Sequence, residues 1–188
     1  LEYGSDFMAW TQRVIDVSAI RESEMVFVGY GIVAPEYGWD DYAGFDVRGK
    51  TVIVLVNDPG FARDSADRFN GRSMTYYGRW TYKYDEAARQ GAAAVFIVHE
   101  TEAAGYPWEV VVGSWSGPQF GLVEDDANLS RTSIEGWLTQ TAATELFAYA
   151  GLDFSVLAER AVYEDFQAVP LEVRASITIR TQVERSIS

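Results

Sequence analysis

The sequence predicts a mixed α/β domain, with a mixed β-sheet or open barrel flanked by a few helices. Two continuous apolar runs, residues 51–56 and 92–98, have the composition of strands buried on both faces. Residues 171–180 alternate apolar and polar side chains, which is typical of an antiparallel or edge strand with one wet face. Helical segments do not alternate regularly with these strands, which disfavours a doubly wound parallel sheet.

The first half of the chain is predicted element by element. Residues 1–24 show no clean hydrophobic period, so we predict a lead-in segment from a larger parent chain, followed by one domain over residues 25–188. Residues 25–28 predict a short strand, and a loop rich in Gly, Pro and Asp follows. The strand at 51–56 is expected to end at Asp58-Pro59-Gly60, because proline cannot donate a ladder hydrogen bond.

The second half begins with a helix, which we predict from about residue 81 to a glycine at 91, before the buried strand at 92–98. Residues 99–132 are expected to be irregular, and residues 134–138 a short strand. Residues 141–166 are predicted to be helical, as two helices with Thr141 and Asp153 as their N-caps. Residues 171–182 are predicted to form a strand that returns the chain to its parent.

The amino-acid composition disfavours several classes of partner and binding site. The 188 residues carry 15 Lys and Arg against 28 Asp and Glu, a net charge of -13. This charge disfavours nucleic acid as a partner, because phosphate neutralisation needs clustered Lys and Arg. No apolar run approaches the roughly 18 residues that a membrane span needs, so no span is expected. Cysteine is absent, which excludes disulfides and thiolate metal sites.

Few residues of this chain are candidates for a catalytic or metal site. A zinc site needs three or more His, Asp or Glu ligands in a closed geometry, and His99 is the single histidine. We favour a structural role for it at the end of a buried strand. The segment 113–117, GSWSG, is not a nucleophile elbow, because Trp115 occupies the position that serine would need. We therefore expect no catalytic residue, metal site or cofactor in this chain.

An aromatic-rich segment, YYGRWTY at residues 76–82, is the strongest candidate for a binding surface. Aromatic side chains on loops either fill the core or present a contact surface. We predict that Tyr76, Tyr77, Arg79, Trp80 and Tyr82 contact a substrate or a partner. The guanidinium of Arg79 suits a carboxylate, and Trp80 suits an apolar side chain.

Three blocks of sequence, in order, resemble a known family. They are FVGYGIVAPEYGWDDYAG, GKTVIVLVNDPGF and YYGRWTYKYDEAARQGAAAVFIVHETEAAGYPW, within roughly residues 25–115. Together they resemble the protease-associated domain that is inserted into bacterial zinc aminopeptidases of the transferrin-receptor and glutamate-carboxypeptidase superfamily. Residues 86–98 look like the common core of these domains.

The resemblance implies a non-catalytic domain of a larger zinc-dependent aminopeptidase, which shapes substrate access or protein contacts at the catalytic cleft. Zinc is then expected only in the missing peptidase domain. The implied partners are that peptidase domain and a peptide or protein substrate, and the implied location is periplasmic or secreted in a bacterium. Two alternatives stay open: a stand-alone hydrolase that uses His99 and a carboxylate, and a structural or oligomerisation module.

Overall fold

The computed structural model describes residues 1–63, 69–122 and 124–184. A six-stranded, curled open sheet carries helices on its faces, so the expected mixed α/β class is confirmed. The described strands are β1 (Phe7–Trp10), β2 (Val17–Phe27), β3 (Val33–Ala34), β4 (Trp39–Asp40), β5 (Thr51–Leu55), β6 (Ala94–His99), β7 (Ile134–Thr139) and β8 (Val169–Arg180). The described α-helices are α1 (Pro59–Arg63), α2 (Trp80–Arg89), α3 (Thr101–Ala104), α4 (Trp108–Trp115), α5 (Gln140–Tyr149) and α6 (Phe154–Arg160).

The main sheet has the strand order β1-β7-β6-β5-β2-β8. Its four central strands are parallel, while β1 pairs with β7 and β8 pairs with β2 in antiparallel fashion. The central strands β5 and β6 are buried along their whole length. β8 instead alternates exposed with less exposed residues, as its sequence period predicts for an edge strand.

Two apolar cores cover the two faces of the sheet. In one, the ring of Phe27 packs edge-to-face on Phe147, Phe154 and Phe166, at centroid distances of 5.3, 6.4 and 5.6 Å. The other core contains Val52, Val54 and Trp137 of the sheet, together with residues of α2 and α4. Helices on both faces are therefore what bury the central strands.

The irregular segment expected over residues 99–132 was a wrong prediction in part, because it contains α3 and α4. Helix α4 begins directly after Pro107 and buries Val111. Its Trp115 stacks on Trp10 with ring centroids 3.6 Å apart. Contact with β1, which is distant in sequence, is what favours the helix over an irregular chain.

The helix caps of the C-terminal half differ from the prediction at one position. Thr139, and not Thr141, caps α5, because its Oγ1 accepts a hydrogen bond of 3.1 Å from the backbone N–H of Ala142. Asp153 caps α6 as predicted, by accepting from the N–H of Val156 at 3.2 Å. That helix ends at Arg160, earlier than residue 166.

Residues 1–24 contribute to the main sheet. They contain β1 and the first part of β2, and the buried Met8 lies opposite Trp137 of β7. The division into a lead-in segment and a domain from residue 25 stays a prediction. Over the part of the chain that the structure describes, no helix combines the length and the apolar character needed to cross a membrane.

Candidate functional site

The aromatic segment is anchored by a buried carboxylate at the end of β5. Asp58 Oδ2 accepts hydrogen bonds from the N–H and the hydroxyl of Thr75, at 3.0 and 2.7 Å. Its Oδ1 accepts from the N–H of Gly60 at 3.1 Å. The local sequence around Asp58 predicts only the end of a strand and does not indicate this role. These bonds fix the start of the aromatic segment to the carboxyl end of β5.

Gly78 allows the segment to pack against that anchor. A Cβ atom at this position would lie 2.7 Å from Met74 Cγ, 3.0 Å from Asn57 Oδ1 and 3.1 Å from Asp58 Oδ2. A side chain here would force Met74, Asn57 and Asp58 to shift, so the close approach favours glycine. The chain then passes through a 3-10 turn at Tyr76–Gly78 into α2.

Three of the five predicted contact residues form one tyrosine cluster. The ring centroids of Tyr76, Tyr77 and Tyr82 lie 5.1 to 5.7 Å apart. Tyr82 is only 3% exposed, and its hydroxyl donates to the carbonyl of Val33 at 3.1 Å and accepts from the N–H of that residue at 3.0 Å. Tyr76, at the other extreme, is 59% exposed. Tyr82 therefore forms the buried side of the cluster, and Tyr76 is exposed to solvent.

The exposed edge of the cluster is hydrogen-bonded to a carboxylate that no local sequence pattern indicates. The Tyr77 hydroxyl donates a hydrogen bond of 2.5 Å to Oε1 of Glu36, which belongs to the 3-10 turn after β3. This hydrogen bond lowers the pKa of Glu36 and raises the pKa of Tyr77 to about 12. Both groups are therefore held in one protonation state at neutral pH, with the hydroxyl as donor.

Arg79 is exposed to solvent, whereas Trp80 packs against a core cluster. Arg79 is exposed at the N-cap position of α2, and its guanidinium has no hydrogen bond or ion pair with any described residue. Trp80 packs at centroid distances of 5.9 Å on Tyr84 and 5.8 Å on Trp115, which places it in the core cluster beside β1. The structure therefore does not gather all five predicted residues on one surface. Their role in contact stays a prediction.

His99 is occupied by structural contacts. Its Nε2 lies 3.0 Å from the carbonyl oxygen of Tyr106, and its ring packs against the rings of Tyr106, Trp108 and Trp137. Burial lowers the pKa of His99, so the imidazole is neutral at neutral pH. Among the described residues, no group of three or more His, Asp or Glu side chains is arranged to hold a metal ion.

Comparison with solved structures finds "Aminopeptidase from Aneurinibacillus sp. strain AM-1". Its identity to this chain is 18%, with a TM-score of 0.38, and the match covers 93% of this chain and 30% of that one. This chain thus spans less than a third of the length of that protein. No known protein family and no curated protein matches the sequence.

Proposed function

We propose that this chain is a non-catalytic protease-associated domain of a larger zinc-dependent aminopeptidase. In this proposal it shapes substrate access or protein contacts at the catalytic cleft, through the surface formed by Tyr76 and Arg79. The observation that carries the proposal is the exposed guanidinium of Arg79, which has no partner among the described residues, on a segment that also exposes Tyr76 and is anchored by the buried Asp58.

The chemistry of this surface suits a carboxylate. A guanidinium pairs with a carboxylate through two parallel hydrogen bonds. No side chain of the described residues caps the first turn of α2 next to Arg79, so the N–H groups there add a positive potential. The ring of Tyr76 offers an apolar face to the rest of a peptide. An acidic side chain or a carboxyl terminus, on a substrate or on the peptidase domain, is the partner that fits.

The proposal assigns catalysis to the missing peptidase domain, with zinc bound there and nowhere in this chain. The structural contacts of His99 support this assignment, because its Nε2 already faces the carbonyl of Tyr106. A periplasmic or secreted location in a bacterium is part of the same proposal and rests on the family resemblance.

Two assays on purified protein test the assignment. In the full-length protein, zinc chelation is expected to abolish aminopeptidase activity, and His99→Ala is expected to leave the turnover number unchanged. The 188-residue chain alone, with zinc added, is expected not to cleave aminoacyl p-nitroanilides. Zinc-dependent turnover by this chain, abolished by His99→Ala, would instead establish the stand-alone hydrolase.

A further inference from the structure

A cavity of about 240 Å³ opens where β5 ends, next to α3. Since a water molecule occupies about 30 Å³ of liquid, this volume suits a small organic group or several waters. Its polar lining comes from Tyr30, Asp58, Arg72, Glu100 and Glu102. The described lining therefore carries three carboxylates and one guanidinium.

Most of these charges are already paired. Arg72 Nη2 lies 2.6 Å from Glu102 Oε1, and the guanidinium also stands 4.5 Å from the centroid of the Phe61 ring. The Asp58 carboxylate accepts three hydrogen bonds from backbone and side-chain donors of its own domain. Among the described residues of the lining, the Glu100 carboxylate alone has no such partner.

Glu100 follows β6 directly and is partly buried. Its carboxylate has no hydrogen bond or ion pair with any described residue. Burial raises the pKa of Glu100, because the charged form loses hydration without gaining a partner. A cation in the cavity would supply that partner.

Tyr30 supplies a second, independent indication of a ligand. The residue is only 5% exposed and lines the cavity, yet no described residue hydrogen-bonds its hydroxyl. Among the described residues this hydroxyl is therefore unpaired and open to a ligand in the cavity. The Lys83 ammonium contacts the opposite side of this residue, donating to its backbone carbonyl at 2.6 Å and lying 5.6 Å from its ring centroid. Burial raises the pKa of Tyr30, so its hydroxyl stays neutral and can accept a hydrogen bond.

We propose that this cavity binds the primary ammonium group of a small organic cation, with the Glu100 carboxylate as its charge partner and the Tyr30 hydroxyl as a hydrogen-bond acceptor. An ammonium has three donors and no acceptor, which matches two acceptors in a net negative lining. An anion is disfavoured, because the single cation of the lining is paired with Glu102. This inference does not depend on the proposed function.

Glycinamide is the probe, since it carries a primary ammonium and no carboxylate, and acetamide is its control without the charge. Both are titrated into the 188-residue chain at neutral pH and constant ionic strength, and backbone amide chemical shifts are followed by NMR. We expect glycinamide, and not acetamide, to shift the amides of Tyr30 and Glu100 in a saturable way. No saturable shift, or equal shifts from both compounds, would overturn the proposal.

Substitutions of the cavity residues test whether glycinamide binds at this site. Glu100→Gln is expected to weaken glycinamide binding by roughly tenfold or more, as for loss of a charge-assisted hydrogen bond, and Tyr30→Phe severalfold. Glu145→Gln is the matched control, because that carboxylate is exposed on α5 and lies outside the cavity lining, and it should change the affinity less than twofold. Unchanged affinity in Glu100→Gln would overturn the proposal. Should a variant fail to fold, the comparison of glycinamide with acetamide on the original chain decides.

Discussion

The ammonium of Lys83 donates a hydrogen bond of 2.6 Å to the carbonyl oxygen of Tyr30 in the interior of the domain. Lys83 is completely buried on α2, and the buried Asp41 is its charged neighbour. Burial lowers the pKa of Lys83 and raises that of Asp41, while their mutual attraction opposes both shifts. Asp41 in turn accepts from the N–H of Ile32 at 2.9 Å. Through these bonds α2 is attached to the turn that follows β2.

Replacing Lys83 tests this attachment. Lys83→Met leaves the Tyr30 carbonyl without its buried donor and removes the positive charge that favours the ionised form of Asp41, so we expect the free energy of unfolding to fall by about 3 kcal/mol. Lys50→Met is the matched control, since Lys50 forms its ion pair with Glu24 at the surface. Its effect should stay within about 0.5 kcal/mol. Urea denaturation measures both, and equal losses would contradict a special role for Lys83.

A second prediction concerns the close contact between β1 and β7. A Cβ atom at Gly136 would lie 2.5 Å from the Met8 carbonyl oxygen and 2.5 Å from Phe96 Cε1. Gly136→Ala is therefore expected to destabilise the chain by about 2 kcal/mol through overpacking. Gly113→Ala in α4 meets nothing within 4 Å and should be neutral or stabilising by up to about 1 kcal/mol. Thermal unfolding that ranks the two variants in the opposite order would contradict the packing described here.

The raised pKa of Glu100 predicts a pH-dependent effect of Glu100→Gln. Above that raised pKa the native glutamate is charged in a place that disfavours charge, whereas the glutamine is not, so the variant should melt at the higher temperature at neutral pH. Below the ordinary pKa of a glutamate the side chain is protonated in both the folded and unfolded states, and the difference should vanish. The carboxylate of Glu102 is exposed and paired with Arg72, so Glu102→Gln should not raise the melting temperature in this way. A pH-independent difference in melting temperature would show that the unpaired charge is not its cause.

The strands could be predicted because their patterns are local. The β-branched run of β5 and the alternation in β8 are both visible in single segments. Helix α4 could not be predicted in this way, because its stability comes from contacts such as the stack of Trp115 on Trp10. The cap of α5 was misplaced by two residues, since Thr139 and Thr141 are chemically equivalent candidates.

The candidate site could be predicted as a segment but not as a surface. Successive residues of a helix project about 100° apart, so Trp80 and Tyr82, two positions apart, point in nearly opposite directions and enter different clusters. The supporting bonds also join distant residues. Asp58 and Thr75 are 17 residues apart, and Glu36 and Tyr77 are 41 apart, and no local pattern indicates such pairs.

The central claim, a carboxylate-binding surface at the start of α2, is tested most directly by kcat/KM of the full-length protein with Arg79→Ala. The substrates are paired peptides that differ only in a free or an amidated carboxyl terminus, together with a pair that has glutamate or glutamine in its interior. Arg48→Ala is the matched control, because that exposed arginine is paired with Asp46. We expect Arg79→Ala to lower kcat/KM roughly fivefold for at least one carboxylate-bearing peptide and to spare its neutral counterpart, as for loss of about 1 kcal/mol from an exposed ion pair. Unchanged kcat/KM for every peptide, or an equal loss in Arg48→Ala, would contradict the account.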